Sequence, residues 1–112
     1  MKIIITESKI GELKNLAQEV LDDELNNLRQ MADIEWGLGE MDEINEVESV
    51  EKIVVNDIKT TGGISIYVNV YINSDREDFD IIDSMIEYTI EQWIPNAKIL
   101  INKKYVNENN NN

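Results

Sequence analysis

Four carboxylates, Asp75, Glu77, Asp78 and Asp80, fall within six positions of the sequence and could do chemistry together. Hard divalent cations take oxygen ligands, so such a group could hold one. Acids are also favoured at a helix N-terminus, because they interact with the positive end of the helix dipole. The segment lacks the EF-hand spacing with its central glycine. We therefore interpret these acids as the start of a helix and predict no metal site.

The 112-residue sequence contains no histidine and no cysteine. It thus lacks the commonest general base, the commonest metal ligand and every thiol nucleophile. Carboxylates, lysines and hydroxyls remain, and none of them has a recognisable catalytic spacing. We predict that the protein is not an enzyme and that it needs no cofactor.

Acidic residues are concentrated in two segments of the chain, which carries 23 acids and 10 bases for a net charge of −13. Residues 22–51 hold eleven acids and one base, and residues 74–95 hold seven acids and one base. The segments between and after them are nearly neutral or slightly basic. Because affinity for nucleic acid comes largely from neutralised phosphates, this charge disfavours direct nucleic-acid binding.

A candidate acidic face lies in the first of these segments. Its members are Asp22, Asp23, Glu24, Asp42 and Glu43. In one hypothesis, the carboxylates mimic nucleic-acid phosphates and occupy a basic groove of a host enzyme. In the other, they serve solubility alone, since a net charge far from zero keeps proteins dispersed.

A β-hairpin is the clearest element that the sequence predicts. Residues 52–60 and 64–72 are rich in β-branched side chains, and Gly62 and Gly63 between them can adopt the positive φ of a tight turn. In the second strand, apolar residues alternate with polar ones and define a single buried face. The other face carries Tyr67, Asn69 and Tyr71.

These three residues are a candidate interface, because tyrosine is enriched at protein contacts. Trp36, which precedes two helix-breaking glycines, is expected either in the core or as a further interface anchor, because large aromatic side chains contribute strongly to both. The sequence predicts that this surface meets a second copy, the acidic loop of the same chain or another protein.

Two amphipathic helices flank the hairpin. Apolar residues recur at three- and four-residue steps over residues 10–32 and predict the first helix. Ser74 and Glu77 match a capping box, so the second helix is expected to begin there. It should end near Trp93, because Pro95 cannot continue it. Trp93 lies on the apolar stripe and is expected in the core.

Strands at residues 2–6 and from residue 98 complete the expected fold. The order is then the β-α-β-β-α-β of ferredoxin-like proteins: α+β, a two-layer sandwich in which two helices cover one face of an antiparallel sheet. If residues 2–6 are extended but do not pair in the sheet, the alternative is α-β-β-α-β with a three-stranded sheet. We expect one domain over residues 1–106 and a disordered asparagine-rich tail at 107–112.

Residues 40–50, between the first helix and the hairpin, are acidic with few apolar side chains. They follow the two glycines after Trp36, which break a helix. The sequence therefore predicts a loop there, with room for a short helix.

The opening residues, which read MKIIITES, resemble the start of many short acidic proteins of tailed bacteriophages. Those proteins often begin MKIIITESQ, whereas this sequence has Lys9 in place of the glutamine. They commonly continue with an apolar hairpin, an acidic helix near a D-F-D-like segment, here residues 78–80, and a final short strand. The resemblance implies a viral origin and assigns no catalytic residue.

The expected function is that of an accessory protein that binds another protein. We expect it in the cytoplasm, that of the host if the origin is viral, because no apolar run approaches the roughly 18 residues of a membrane span and no signal peptide is recognisable. No membrane partner is expected. The phosphate mimic is one alternative, and a structural subunit that self-associates through its sheet is the other.

Overall fold

The computed structural model describes residues 7–33 and 41–106. It is an α+β structure with three helices and a three-stranded mixed sheet in the order β1-β2-β3. The elements are α1 (Glu7–Asp33), α2 (Met41–Ser49), β1 (Val50–Lys59), β2 (Ser65–Ile72), α3 (Asp80–Trp93) and β3 (Lys98–Tyr105). The strand predicted at residues 2–6 and the tail predicted at 107–112 lie outside the described residues. Within that part of the chain, no helix is long and apolar enough to cross a membrane.

β1 and β2 form the predicted hairpin and pair antiparallel, with Lys59 opposite Ser65 beside the turn. Gly62 and Gly63 have φ angles of +72° and +119°. Such positive values are easily reached by glycine, which has no Cβ. Buried and half-exposed residues alternate along β2, as predicted.

β3 lies beside β2 and runs parallel to it, with Ile66 next to Ile99. The prediction of an antiparallel sheet is therefore wrong for this pair, and α3 provides the crossover that parallel neighbours require. The ferredoxin-like order would place the strand at residues 2–6 beside β2, but β1 and β3 occupy both sides of β2. The described elements follow the three-stranded alternative, with α2 added where a loop or a short helix was predicted.

A single hydrophobic core joins the three helices to one face of the sheet. α3 contributes Ile82, Ile86, Ile90 and, just after the helix, Ile94, at four-residue steps. Trp93 is one position off this stripe, and its side chain is 56% exposed. The prediction of a core position for Trp93 is therefore wrong.

α3 begins at Asp80, later than the capping box predicted. Ser74 Oγ accepts a hydrogen bond from the Arg76 backbone N–H at 3.2 Å and does not cap the helix. The cap comes from α2, where Glu46 Oε2 lies 2.7 Å from the backbone nitrogen of Ile82. Ile82 is in the first turn, whose N–H groups need an acceptor outside the helix.

Side chains of α1 close the outer edge of β1. The amide of Gln18 donates to the carbonyl of Ile53 at 2.8 Å and accepts from the N–H of Val55 at 2.7 Å. Arg29 donates to two carbonyls at the start of β1 at 2.9 and 2.8 Å. These backbone groups would otherwise be available to another strand.

Candidate binding surfaces

The face of the sheet opposite the core presents its side chains in four cross-strand rows, and we call it the open sheet face. The rows, from one end to the other, are Lys52, Tyr71 and Lys104; Val54, Asn69 and Asn102; Asp57, Tyr67 and Leu100; and Lys59, Ser65 and Lys98. Successive rows are two residues apart along β2, or about 7 Å. The two lysine-bearing rows are therefore about 20 Å apart, at opposite ends of the face.

The two tyrosines of this face each have a lysine of β1 over the ring. Lys52 Nζ lies 4.9 Å from the ring centroid of Tyr71, and Lys59 Nζ lies 5.2 Å from that of Tyr67. Cation–π contacts at exposed sites contribute about 0.5–1 kcal/mol. They hold both lysines on the open sheet face.

The structure brings Tyr67, Asn69 and Tyr71 onto one half-buried face. Trp36, the fourth residue of the predicted interface, lies outside the described residues. A shallow depression of about 310 Å³ lies beside Tyr67 and Asn69 and is also lined by Asn56, Leu100 and Asn102. Its asparagines offer both donors and acceptors next to an apolar side chain.

Charges of opposite sign lie on the helices and on the strands. The helices hold fifteen acids and three bases, whereas the strands hold two acids and five bases. Four of these bases are the lysines of the two end rows, and Asp57 is the one acid among the row residues. From the sequence, the strands are expected to be nearly neutral. The basic character of the open sheet face was therefore not predicted, because only the strand register shows that the lysines share a face.

A second candidate surface, which we call the helical cleft, lies between α1 and α3. It has a volume of about 170 Å³ and is lined by Val20, Asp23, Glu24, Tyr88, Thr89, Gln92 and Trp93. Tyr88 and Trp93 are 68% and 56% exposed. Aromatic rings beside carboxylates attract a cation that has an apolar stem.

The five acids of the predicted acidic face belong to two helices, α1 and α2. Asp22 and Asp23 are exposed on α1, and Glu24 beside them is half-buried. Asp23 and Glu24 line the helical cleft, whereas Glu43 is half-buried on α2 and does not line it. Asp42 also lies in α2. Of the five acids, the structure places Asp23 and Glu24 beside Trp93.

Glu46, which sequence reasoning missed, belongs to an ionisable cluster at the start of α3. It is only 3% exposed and pairs with Arg76 at 3.8 Å. Burial raises the pKa of Glu46, against the opposing effects of the hydrogen bond from Ile82 and the positive charge of Arg76. No local pattern marks this residue, because its partners are distant in sequence.

The same cluster continues to β3. Lys103 Nζ lies 2.8 Å from Asp83 Oδ2, while Asp83 Oδ1 is buried without a hydrogen-bond partner. Tyr105 donates to the carbonyl of Arg76 at 2.8 Å. Perturbed ionisable groups also occur in active sites, but these groups connect α2, α3 and β3. We interpret the cluster as structural.

No group of three or more acids in residues 7–33 and 41–106 is placed to hold a metal ion. This includes Asp75, Glu77, Asp78 and Asp80, of which only Asp80 belongs to α3. Comparison with protein-family models, with curated proteins and with solved structures finds no match to this chain.

Proposed function

We propose that this protein is a non-enzymatic accessory protein that binds another protein through its open sheet face. The observation that carries the proposal is the arrangement of the rows. Tyr67, Asn69 and Tyr71 lie in a line along the central strand, and lysines flank that line at both ends. Tyrosine supplies contact area and a polar end, which suits an interface that forms in water.

The lysines indicate the chemistry of the partner. A surface that meets two lysine-bearing rows about 20 Å apart should carry acidic groups at a similar separation. Between them, Leu100 and the tyrosine rings favour apolar or aromatic side chains on the partner. We place this binding in the cytoplasm and, from the resemblance of the opening residues, propose a viral origin.

Affinity capture from a host lysate tests the proposal. The immobilised protein is compared with a Tyr67→Ala, Tyr71→Ala double variant and with Lys104→Glu. Lys14→Glu on α1 is the control for the change of charge. We expect one partner that is retained by the wild type and the control, is lost from both sheet variants, and elutes at roughly 0.5 M salt, where charges are screened beyond a few Å. Equal capture by all four proteins would contradict it.

The phosphate mimic is a second candidate, and the fifteen acids on the helices favour it. A mimic would bind through the helices, so its partner should be lost from an Asp22→Asn, Asp23→Asn, Glu24→Gln variant. The same partner should be retained by Lys104→Glu. This pattern is the reverse of the one expected for the open sheet face.

A further inference from the structure

The open sheet face and the helical cleft have complementary chemistry. We propose that they bind each other between two copies of this chain, with a lysine of β3 from one copy entering the helical cleft of the next. The proposal builds on the proposed function, because it uses the same open sheet face and names a second copy as its partner.

The helical cleft is suited to a lysine side chain. Trp93 and Tyr88 provide exposed aromatic rings, which attract an ammonium group and pack against its alkyl stem. Asp23 and Glu24 on the opposite wall supply negative charge. Neither carboxylate makes an ion pair with a base among the described contacts, so both are available to an incoming cation.

Among the lysines of the open sheet face, those of β3 are the best placed to enter the cleft. Lys52 and Lys59 of β1 lie over tyrosine rings, and Lys103 pairs with Asp83 on the core side. Lys98 and Lys104 are exposed, and no described contact holds either of them. They lie at opposite ends of the open sheet face, in the fourth and first rows.

We expect the contact to be head-to-tail. The open sheet face is opposite the core, whereas the helical cleft lies between α1 and α3 in the helical layer that covers the core. A contact of this kind uses different patches on the two copies, and it adds further copies unless the rotation closes a ring. The terminal copies of such an open chain would each keep one unused surface, an open sheet face at one end and a helical cleft at the other.

The net charge of −13 opposes this association and gives it a distinctive salt dependence. At about 0.01 M salt the Debye length is about 30 Å, so repulsion between whole molecules is felt across the contact. At about 0.1 M it falls to about 10 Å, which leaves the local attraction between lysine and cleft. At about 1 M the local attraction is screened too.

Sedimentation velocity of the full chain at these three salt concentrations tests the proposal. We expect the mean mass to rise above 12.9 kDa with protein concentration, and most strongly at intermediate salt. A sheet variant, Lys98→Glu with Lys104→Glu, and a cleft variant, Trp93→Ala, should each remain monomeric. Lys14→Glu should associate like the wild type.

Mixing the two variants provides the decisive measurement. The sheet variant keeps an intact cleft and the cleft variant keeps an intact sheet, so the mixture should form a dimer of twice the monomer mass and no larger species. A wild type that is monomeric at all three salt concentrations would overturn the proposal, as would a mixture that stays monomeric. Capture of an acidic partner by a monomeric wild type would still support the proposed function.

Discussion

Glu46 in α2 accepts a hydrogen bond at 2.7 Å from the backbone N–H of Ile82 in the first turn of α3, 36 residues later. A buried N–H that loses its acceptor costs about 1–3 kcal/mol. We therefore expect Glu46→Ala to lower the free energy of unfolding by that amount. Glu46→Gln keeps an acceptor oxygen and should lower it less. Urea denaturation compares both variants with Glu48→Ala, an exposed control in the same helix. Equal losses of unfolding free energy for Glu46→Ala and Glu48→Ala would show that Glu46 does not cap α3.

The raised pKa of Glu46 predicts a pH dependence of stability. Burial favours the protonated form in the folded protein, so its pKa lies above the ordinary 4.5. The stabilising contribution of this group is then complete below pH 4.5 and is lost as the pH rises through the folded-state pKa. The wild type should lose stability relative to Glu46→Gln as the pH is raised from 4.5 to neutrality. Parallel stability profiles of the two proteins would refute the shift.

The amide of Gln18 makes two hydrogen bonds to β1, one in each direction. A hydrogen bond contributes about 0.5–1.5 kcal/mol net, so Gln18→Ala should reduce the free energy of unfolding by about 1–3 kcal/mol. Gln18→Glu should also be destabilising, because a carboxylate cannot donate to the carbonyl of Ile53. Gln30→Ala, an exposed change in the same helix, is the control in denaturant titrations. A loss no greater than that of Gln30→Ala would show that these two hydrogen bonds do not stabilise the protein.

The two turn glycines should differ in their tolerance of substitution. No atom lies within 4 Å of a Cβ added at either one, so any cost comes from the backbone. Gly62 has a φ of +72°, in the left-handed region that asparagine also visits, whereas the +119° of Gly63 lies outside it. Gly63→Asn should therefore cost about 1–3 kcal/mol, and Gly62→Asn less. Thermal unfolding midpoints in the reverse order would contradict this reading.

Substitution of Gly11, unlike that of the turn glycines, should stabilise the protein. It lies exposed in α1, and an added Cβ meets no atom within 4 Å. Alanine in a helix interior is favoured over glycine by about 0.5–1 kcal/mol. Gly11→Ala should therefore raise the unfolding midpoint, and a lowered midpoint would contradict the helical assignment at this position.

Local patterns were sufficient to predict the elements whose stabilising contacts are close in sequence. The hairpin follows from alternation and from Gly62-Gly63, and α3 ends at Trp93 because Pro95 follows. The start of α3 was predicted too early, since its acceptor is Glu46, which no motif within the helix reveals.

Long-range pairing could not be predicted from the same patterns. The sequence of residues 98–105 fits a parallel edge strand as well as an antiparallel one. Only the packing of α3 against the core places this strand parallel to β2. The tyrosines of the open sheet face were predicted to lie together, because the alternation of apolar and polar residues within one strand places them on the same side. The lysine rows were missed because they require the register of three strands.

The separation of acids onto helices and lysines onto strands gives this protein a permanent electric dipole in addition to its net charge. A charged surface that approaches the protein would therefore orient it before contact. A basic surface would meet the helices, and an acidic one would meet the tyrosines and lysines of the sheet. The sequence pI is about 4.2, so the protein has a net negative charge above that pH. Retention on a cation exchanger at a pH above the pI and below neutrality would be the chromatographic sign of that orientation.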